Sequence, residues 1–390
     1  MLNIQEASLN VGAKIKVIGV GGGGSNMIEH LIQTGTHEGI SLAVANTDAQ
    51  AISTSSAPVR IQLGARLTKG LGAGMRPQVG KDAALESYEE LKQFLEDTDV
   101  VFISAGLGGG TGTGAAPVIA KAAKEVGALT VSIVTKPFRW EGGKRAKLAE
   151  EGYRELKAES DSIVVIPNEK LLTIIDKNLG LKDSFRIVDD VLVCAVNGMS
   201  GVILSHGAND INVDFADVRT AMSHKGMALM GIGESTGADA AKEAVKMAIE
   251  SPLFDNMSIH GAKGVLVHFY ISPEYPLGSI SDAMDIVNEN VDEDADVIFG
   301  TTTDANVERD KVRITIIATG FDRTPTESTP AQTQTQSNND STLKLVNPKD
   351  MSQRINQQET LSAARKKVSG GEFTNDEVLD IPAFLRRQMD

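Results

Sequence analysis

From Lys14 to Pro167, short and mostly apolar runs alternate with longer stretches whose apolar positions recur every three or four residues. The runs Lys14–Gly19, Ser41–Asn46, Val59–Leu63, Asp99–Ala105, Leu129–Val134 and Ser162–Pro167 predict strands, and the stretches between them predict helices. Alternation of this kind implies right-handed crossovers and a mostly parallel sheet covered on both faces. Ligands on such sheets bind beyond the C-terminal ends of the strands.

The pattern then changes. Leu179–Ser205 reads as one long helix, with Phe185, Val188, Val191, Leu192, Ala195, Met199, Val202 and Ile203 forming a wide apolar stripe. It suits a central spacer and equally an ordinary amphipathic helix. Beyond it, strands are predicted at Met227–Glu234, Gly264–Ser272, Ala295–Thr303 and Val312–Thr319, with helices at Ala238–Glu250 and Ser279–Asn290. This second unit reads as an α+β domain with a four-stranded sheet. From Thr324 to Gly371 the chain is rich in Ser, Thr, Gln, Asn and Lys and poor in large apolar residues, which predicts a disordered linker. Apolar character returns at Val378–Leu385, as in a tethered docking peptide. The expected divisions are a flexible 1–12, a ligand-binding domain 13–178, the helix and following loop 179–223, the α+β domain 224–322, the linker 323–371 and the peptide 372–390.

Two glycine-rich loops carry the candidate chemistry. Gly108-Gly109-Gly110-Thr111-Gly112-Thr113-Gly114 follows the strand ending at Ala105 and precedes a helix read from Ala115. Gly19-Val20-Gly21-Gly22-Gly23-Gly24-Ser25-Asn26 follows the first strand and precedes a helical pattern read over Met27–Ile32. Glycine lets the backbone approach a ligand without a Cβ in the way, and a helix start offers unpaired N–H groups and a positive dipole end. Each loop is therefore a candidate phosphate cradle. Gly19, Gly21 and Gly24 also satisfy G-x-G-x-x-G, with Asp48 at the distance of a ribose-binding acid, so an NAD-dependent oxidoreductase is one reading. That reading leaves the second loop without a use. Neither loop holds G-x-x-x-x-G-K-[ST], so a bound nucleotide is held mainly by backbone N–H groups, hydroxyls and a cation.

Composition narrows the choices. The net charge is −14, with no basic stripe, and aromatic residues make up 4%, which argues against a nucleic-acid surface. No run of 18 apolar residues is read, so no membrane insertion is expected. The single cysteine, Cys194, excludes an internal disulfide framework and suits a reducing cytoplasm, where it reads as a packing residue.

The signature GGGTGTG, together with Val17–Gly24, Asn46-Thr47-Asp48-Ala49-Gln50, Thr135-Lys136-Pro137-Phe138 and Asn212-Val213-Asp214-Phe215-Ala216-Asp217, resembles the tubulin/FtsZ family of GTPases. The C-terminal Leu379–Arg386 fits the same family. The resemblance implies a Rossmann-like parallel-sheet GTPase domain and places GTP or GDP against Gly22, Gly23, Gly24, Ser25, Asn26, Asn46 and Gly108–Gly114. It adds Glu141 and Arg145 beside the phosphates or ribose, and Phe185 with Asp189 for the guanine. Magnesium would be held mainly by the phosphates and water, with room for a monovalent cation and no dedicated protein metal site. Asn212, Asp214 and Asp217 would act in trans, on the nucleotide of the next subunit in a head-to-tail homopolymer at the mid-cell division site. Leu379, Asp380, Ile381, Pro382, Phe384, Leu385 and Arg386 would grip a membrane-tethering or regulatory partner. From residue types alone, Asn212, Asp214 and Asp217 also read as a helix cap with first-turn acids, as in a nucleotide-binding scaffold without hydrolysis.

Overall fold

The computed structural model describes residues 12–37, 39–172, 179–204, 211, 213–224, 226–254 and 258–321. Asn212, the predicted linker and the predicted peptide Leu379–Arg386 lie outside the described residues.

The strands are β1 (Ile15–Val20), β2 (Ile40–Asn46), β3 (Val59–Gln62), β4 (Val100–Gly106), β5 (Leu129–Lys136) and β6 (Ser162–Pro167). They continue as β7 (Gly226–Thr236), β8 (Gly264–Ile271), β9 (Asp296–Thr303) and β10 (Lys311–Phe321). The helices up to the sixth strand are α1 (Gly21–Thr34), α2 (Ala49–Thr54), α3 (Ala65–Thr68), α4 (Pro77–Glu86), α5 (Tyr88–Leu95), α6 (Thr111–Glu125) and α7 (Gly143–Glu159). Beyond it come α8 (Asn168–Leu171), α9 (Leu181–Leu204), α10 (Phe215–Met222), α11 (Ala240–Ile249) and α12 (Leu277–Asn290).

The strands form one sheet in the order β3-β2-β1-β4-β5-β6-β7-β10-β8-β9. β1 to β6 are parallel, and the order reverses between β1 and β4, the switch point where a crevice opens beyond the strand ends. The four later strands are grouped as expected: β10 runs antiparallel to β7 and β8, and β9 runs parallel to β8. β7 also pairs with β6, from Ser162↔Gly226 to Val164↔Ala228. Hydrophobic patterning does not encode which neighbour an opening strand selects, so this join is visible only in three dimensions.

Strand alternation sorts the core onto two faces. Ile15 and Val17 of β1 face α1 (Met27, Leu31) and α9 (Leu192, Val196, Met199), whereas Ile18 and Val20 face α6 (Ala115, Ile119). α9 also reaches the second half of the sheet, because Ala228, Leu266 and Ile317 belong to the same cluster as its apolar stripe. Each fully buried Leu, Val or Met on that stripe is worth about 1.5–3 kcal/mol. Within α9, an 18-residue window of Lys182–Leu204 has a mean hydropathy of 1.8, so by length and composition alone the helix is long and apolar enough to cross a membrane. Its window is 72% buried inside the fold, which marks a core helix.

Candidate functional site

Both helices open inside the glycine-rich segments rather than after them, and only Gly108–Gly110 remains a turn. α1 opens at Gly21, six residues before the predicted Met27, and α6 at Thr111, four before the predicted Ala115. Glycine disfavours helix by about 1 kcal/mol per residue relative to Ala, and a propensity reading stops there. Close packing overrides it. A Cβ on Gly21 would lie 2.8 Å from Gly112 N, and one on Gly112 would lie 2.6 Å from Gly106 O. The two helix starts thus converge at the β1/β4 switch point. Neither has a side-chain cap or an acidic residue in its first turn, so the orphan N–H groups are left for an anion. At Gly22 and Gly109 a Cβ would meet nothing within 4 Å. Those two glycines border open space, and packing does not require them.

The other candidate residues divide into framework and lining. Gly108 takes φ +98, and a Cβ there would lie 2.9 Å from Arg145 O. Its N–H donates to Thr113 Oγ1 at 2.9 Å, so the buried Thr113 ties the turn together. Gly110 packs on Ala73, and Gly114 packs on Pro77 at the start of α4. The Thr111 hydroxyl pairs with Thr47 Oγ1 at 2.6 Å. Ser25 and Asn46 are buried, and Asn46 Oδ1 accepts from Asp48 N at 3.3 Å. Gly23 and Asn26 are exposed in the first two turns of α1. Asp48 caps α2 by accepting from Gln50 N at 2.8 Å, which commits it locally.

Beside the signature segment, Glu141 Oε1 accepts from Phe138 N at 2.9 Å while Oε2 takes a hydrogen bond from Arg145 Nη1. Glu141 is thereby fixed, and the half-exposed Arg145 guanidinium keeps donors free of that pair. Phe185 stands edge-on to Phe138, centroids 5.7 Å apart, and Phe138 stacks on Trp140 at 5.4 Å. One turn along α9, burial pushes the Asp189 carboxyl up to about 6, with neighbouring Asp190 pushing the same way and His30 opposing. His30, buried on α1, hydrogen-bonds Asp190 and joins the two helices. The sequence reading missed it because a lone histidine on an apolar face carries no motif.

The Glu141–Arg145 pair therefore stands beside the signature turn, Phe185 beside Phe138, Asn26 in the second turn of α1 and Asp189 across from His30, whereas the later acids stand apart. Phe185, near the start of α9, meets Phe138 just past the C-terminal end of β5. Leu204, at its end, faces Gly39 just before the N-terminal end of β2. The 24-residue helix so crosses the sheet from one end to the other, about 36 Å. Asp214 and Asp217 follow on the far side. Asp214 caps α10 by accepting from Ala216 N at 3.0 Å, and both side chains are exposed. Among the described residues, no group of three or more His, Cys, Asp or Glu could hold a metal ion. Burial raises the Cys194 thiol above its ordinary value, in keeping with a packing residue.

The model of the tubulin/FtsZ family GTPase domain matches residues 14–176, and that of the FtsZ family C-terminal domain matches residues 226–322. The cell division protein FtsZ of Helicobacter pylori is 47% identical over 97% of this chain and 93% of its own. The chain belongs to the FtsZ family. The FtsZ of Pseudomonas aeruginosa is 45% identical over 97% of both chains. Among solved structures, an empty FtsZ dimer from M. jannaschii superposes with a TM-score of 0.75 at 47% identity, covering 79% of this chain and 88% of the other. CetZ1 from Haloferax volcanii, at 21% identity and a TM-score of 0.67, shares the fold. The family is thus a tubulin-like one, and its GTPase domain spans the paired helix starts of this chain.

Proposed function

We propose that this FtsZ-family GTPase holds GTP across the two helix starts and completes its hydrolytic site only when a second copy docks head to tail. The observation that carries the reading is the length of α9: it separates Phe185 and Asp189 from Asp214 and Asp217 by the whole depth of the sheet. One chain cannot bring both sets to one nucleotide, but two chains stacked end to end can. Such a contact is heterologous and propagates into an open filament.

In this reading the unpaired N–H groups among Gly21–Gly24 and Gly109–Thr113 hold the phosphates, Gly108 and Gly114 shape the turn and the helix behind them, and Arg145 adds charge. Phe185 stacks on the guanine. The Asp189 carboxylate accepts from its N1–H and N2–H₂, where adenine N1 would oppose it with an acceptor. Asn26, Ser25 and Asn46 contact base, ribose or phosphate, and Glu141 orients Arg145. Magnesium, when bound, would supply charge that neutralises the phosphates and would be held mainly by them and by water. A monovalent cation can sit in the same shell. Asp214 and Asp217 of the incoming subunit polarise a water that Asn212 helps to position, and a carboxylate takes its proton as the water oxygen bonds the γ-phosphorus and the bond to GDP breaks.

The relatives bear the name cell division protein, and we extend that role here: filaments that scaffold the division site beneath the membrane, tethered by an adaptor that grips Leu379–Arg386. One observation favours a second reading. Asp214 is engaged as a helix cap, as a scaffold without hydrolysis would have it.

Phosphate release and light scattering, followed together across a protein concentration series with GTP, ATP or NAD, separate these readings. GTP-specific scattering with turnover only above a threshold concentration supports a shared site. Scattering without turnover supports the scaffold. Turnover linear from the lowest concentration, without scattering, removes the head-to-tail mechanism.

A further inference from the structure

The segment that carries Asp214 and Asp217 is clasped at both ends to a single strand. Among the described residues β9 is the last strand of the sheet, and one of its edges has no strand partner there. Upstream of the acids, Ile211 N donates to Thr301 Oγ1 at 2.8 Å, and Thr301 N reaches Ile211 O at 3.4 Å. Thr301 is 2% exposed, so its hydroxyl is no incidental surface contact. Downstream, His224 Nε2 meets Asp296 Oδ2 at 3.0 Å at the other end of the same strand. Between the clasps, α10 lies over β8 and β9, and Thr319 Oγ1 donates to Ala221 O at 2.6 Å. β9 thus braces Ile211 and residues 213–224 against the sheet and leaves the two carboxylates outward.

We propose that Thr301 is a positioning residue for hydrolysis: through Ile211 it fixes the acidic segment in the attitude required to meet the neighbouring subunit's nucleotide. The His224–Asp296 pair is the second, exposed anchor of the same brace. The inference rests on the head-to-tail reading above. Its physical basis is that orientation, not acid strength, is the demand on a group that must align a water across a subunit boundary. A threonine suits the task because its hydroxyl accepts from Ile211 N while its methyl packs, and valine matches that shape without the acceptor.

The test is turnover per assembled subunit, KM for GTP and threshold concentration, measured on the full chain and on Thr301→Val, Thr301→Ser and Asp217→Asn. Thr301→Val should lose about tenfold in turnover per assembled subunit. KM for GTP should stay put, because the cradle is at the opposite end of α9. Thr301→Ser, which keeps the acceptor, should restore turnover, a rescue that a merely packing role does not give. Wild-type turnover in Thr301→Val, or failure of the serine variant to rescue, overturns the inference. Asp217→Asn keeps the two ideas apart: if it turns over normally, the in-trans reading fails, whereas its loss beside a normal Thr301→Val leaves that reading and removes the brace. Should Thr301→Val not fold, Asp296→Asn at the exposed clasp decides. About a threefold loss of turnover at unchanged threshold supports the brace, and no loss overturns it.

Discussion

Gly21 and Gly112 stand so close that a Cβ on the first would lie 2.8 Å from the amide nitrogen of the second. The starts of α1 and α6 can converge only because both positions lack side chains, whereas Gly22 and Gly109 face open space. The two kinds of glycine therefore predict different outcomes. Gly112→Ala pushes a Cβ to 2.6 Å from Gly106 O and should cost about 1–3 kcal/mol of stability with loss of nucleotide binding. Gly22→Ala should leave the melting temperature unchanged yet weaken GTP binding by about tenfold or more, because its methyl occupies the space a phosphate would take. Thermal melts and nucleotide titrations on the two variants check the distinction.

Asp189 gives the site a pH dependence of defined sign. Its carboxyl lies at about 6 when folded against 3.8 when free, so the folded chain binds more protons across that interval. Its contribution to stability is complete below about pH 4 and is lost as pH rises through about 6, amounting to at most about 3 kcal/mol, reduced by solvent screening of the partly exposed carboxyl. Guanine binding runs the other way, since only the carboxylate accepts from N1–H and N2–H₂. GTP affinity should fall toward tenfold per unit below about pH 6. Asp189→Asn should flatten that pH profile, be at least as stable as wild type at pH 7 and lose roughly 10–100-fold in guanine affinity. Equilibrium titrations of GTP from pH 5 to pH 8 test all three.

Much of this was legible from spacing alone. Unbroken apolar runs reported β1 to β6, because strands buried on both faces need no alternation, and the stripe from Phe185 to Ile203 reported α9. Helix starts were less legible: Gly21 and Thr111 open their helices where propensity predicts loops, since tight packing of one backbone on another has no signature beyond glycine itself. The β6–β7 join, the His30–Asp190 link and the Ile211–Thr301 clasp were not legible at all. Each joins residues distant in the chain, and none belongs to a periodic pattern. α9 has a composition that would suit a membrane, but its apolar surface is spent on the core, in line with the amphipathic helix that its stripe predicts.

The packing of α9 on β8 and β9 sets a limit on substitution at Gly201. A Cβ there would lie 2.6 Å from His268 Nε2 and 3.0 Å from Thr302 Oγ1. Gly201→Ala should separate the helix from the strands that carry the brace and destabilise the chain by about 1–3 kcal/mol. Alanine is the better helix former by about 1 kcal/mol, so a rise in melting temperature would mean the helix has room to shift there. Denaturant unfolding of the variant decides between the two.

A shared site makes a prediction that no single-chain site can imitate. Asp217→Ala retains both helix starts, Phe185 and Asp189, so in the proposed mechanism it binds GTP and accepts a neighbour's acids while offering none of its own. A Gly112→Ala chain offers intact acids on α10 but no working cradle. Each alone should hydrolyse GTP at about a hundredth of the wild-type rate or less. Mixed, an Asp217→Ala subunit whose neighbour is Gly112→Ala presents one complete site, so turnover should rise well above the sum of the separate rates. The gain should peak near equal proportions, since complete sites need one chain of each kind, and it should vanish below the assembly threshold. Turnover that remains additive at every ratio, with scattering showing that mixed polymers form, would place the acids and the nucleotide in one chain and end the in-trans mechanism.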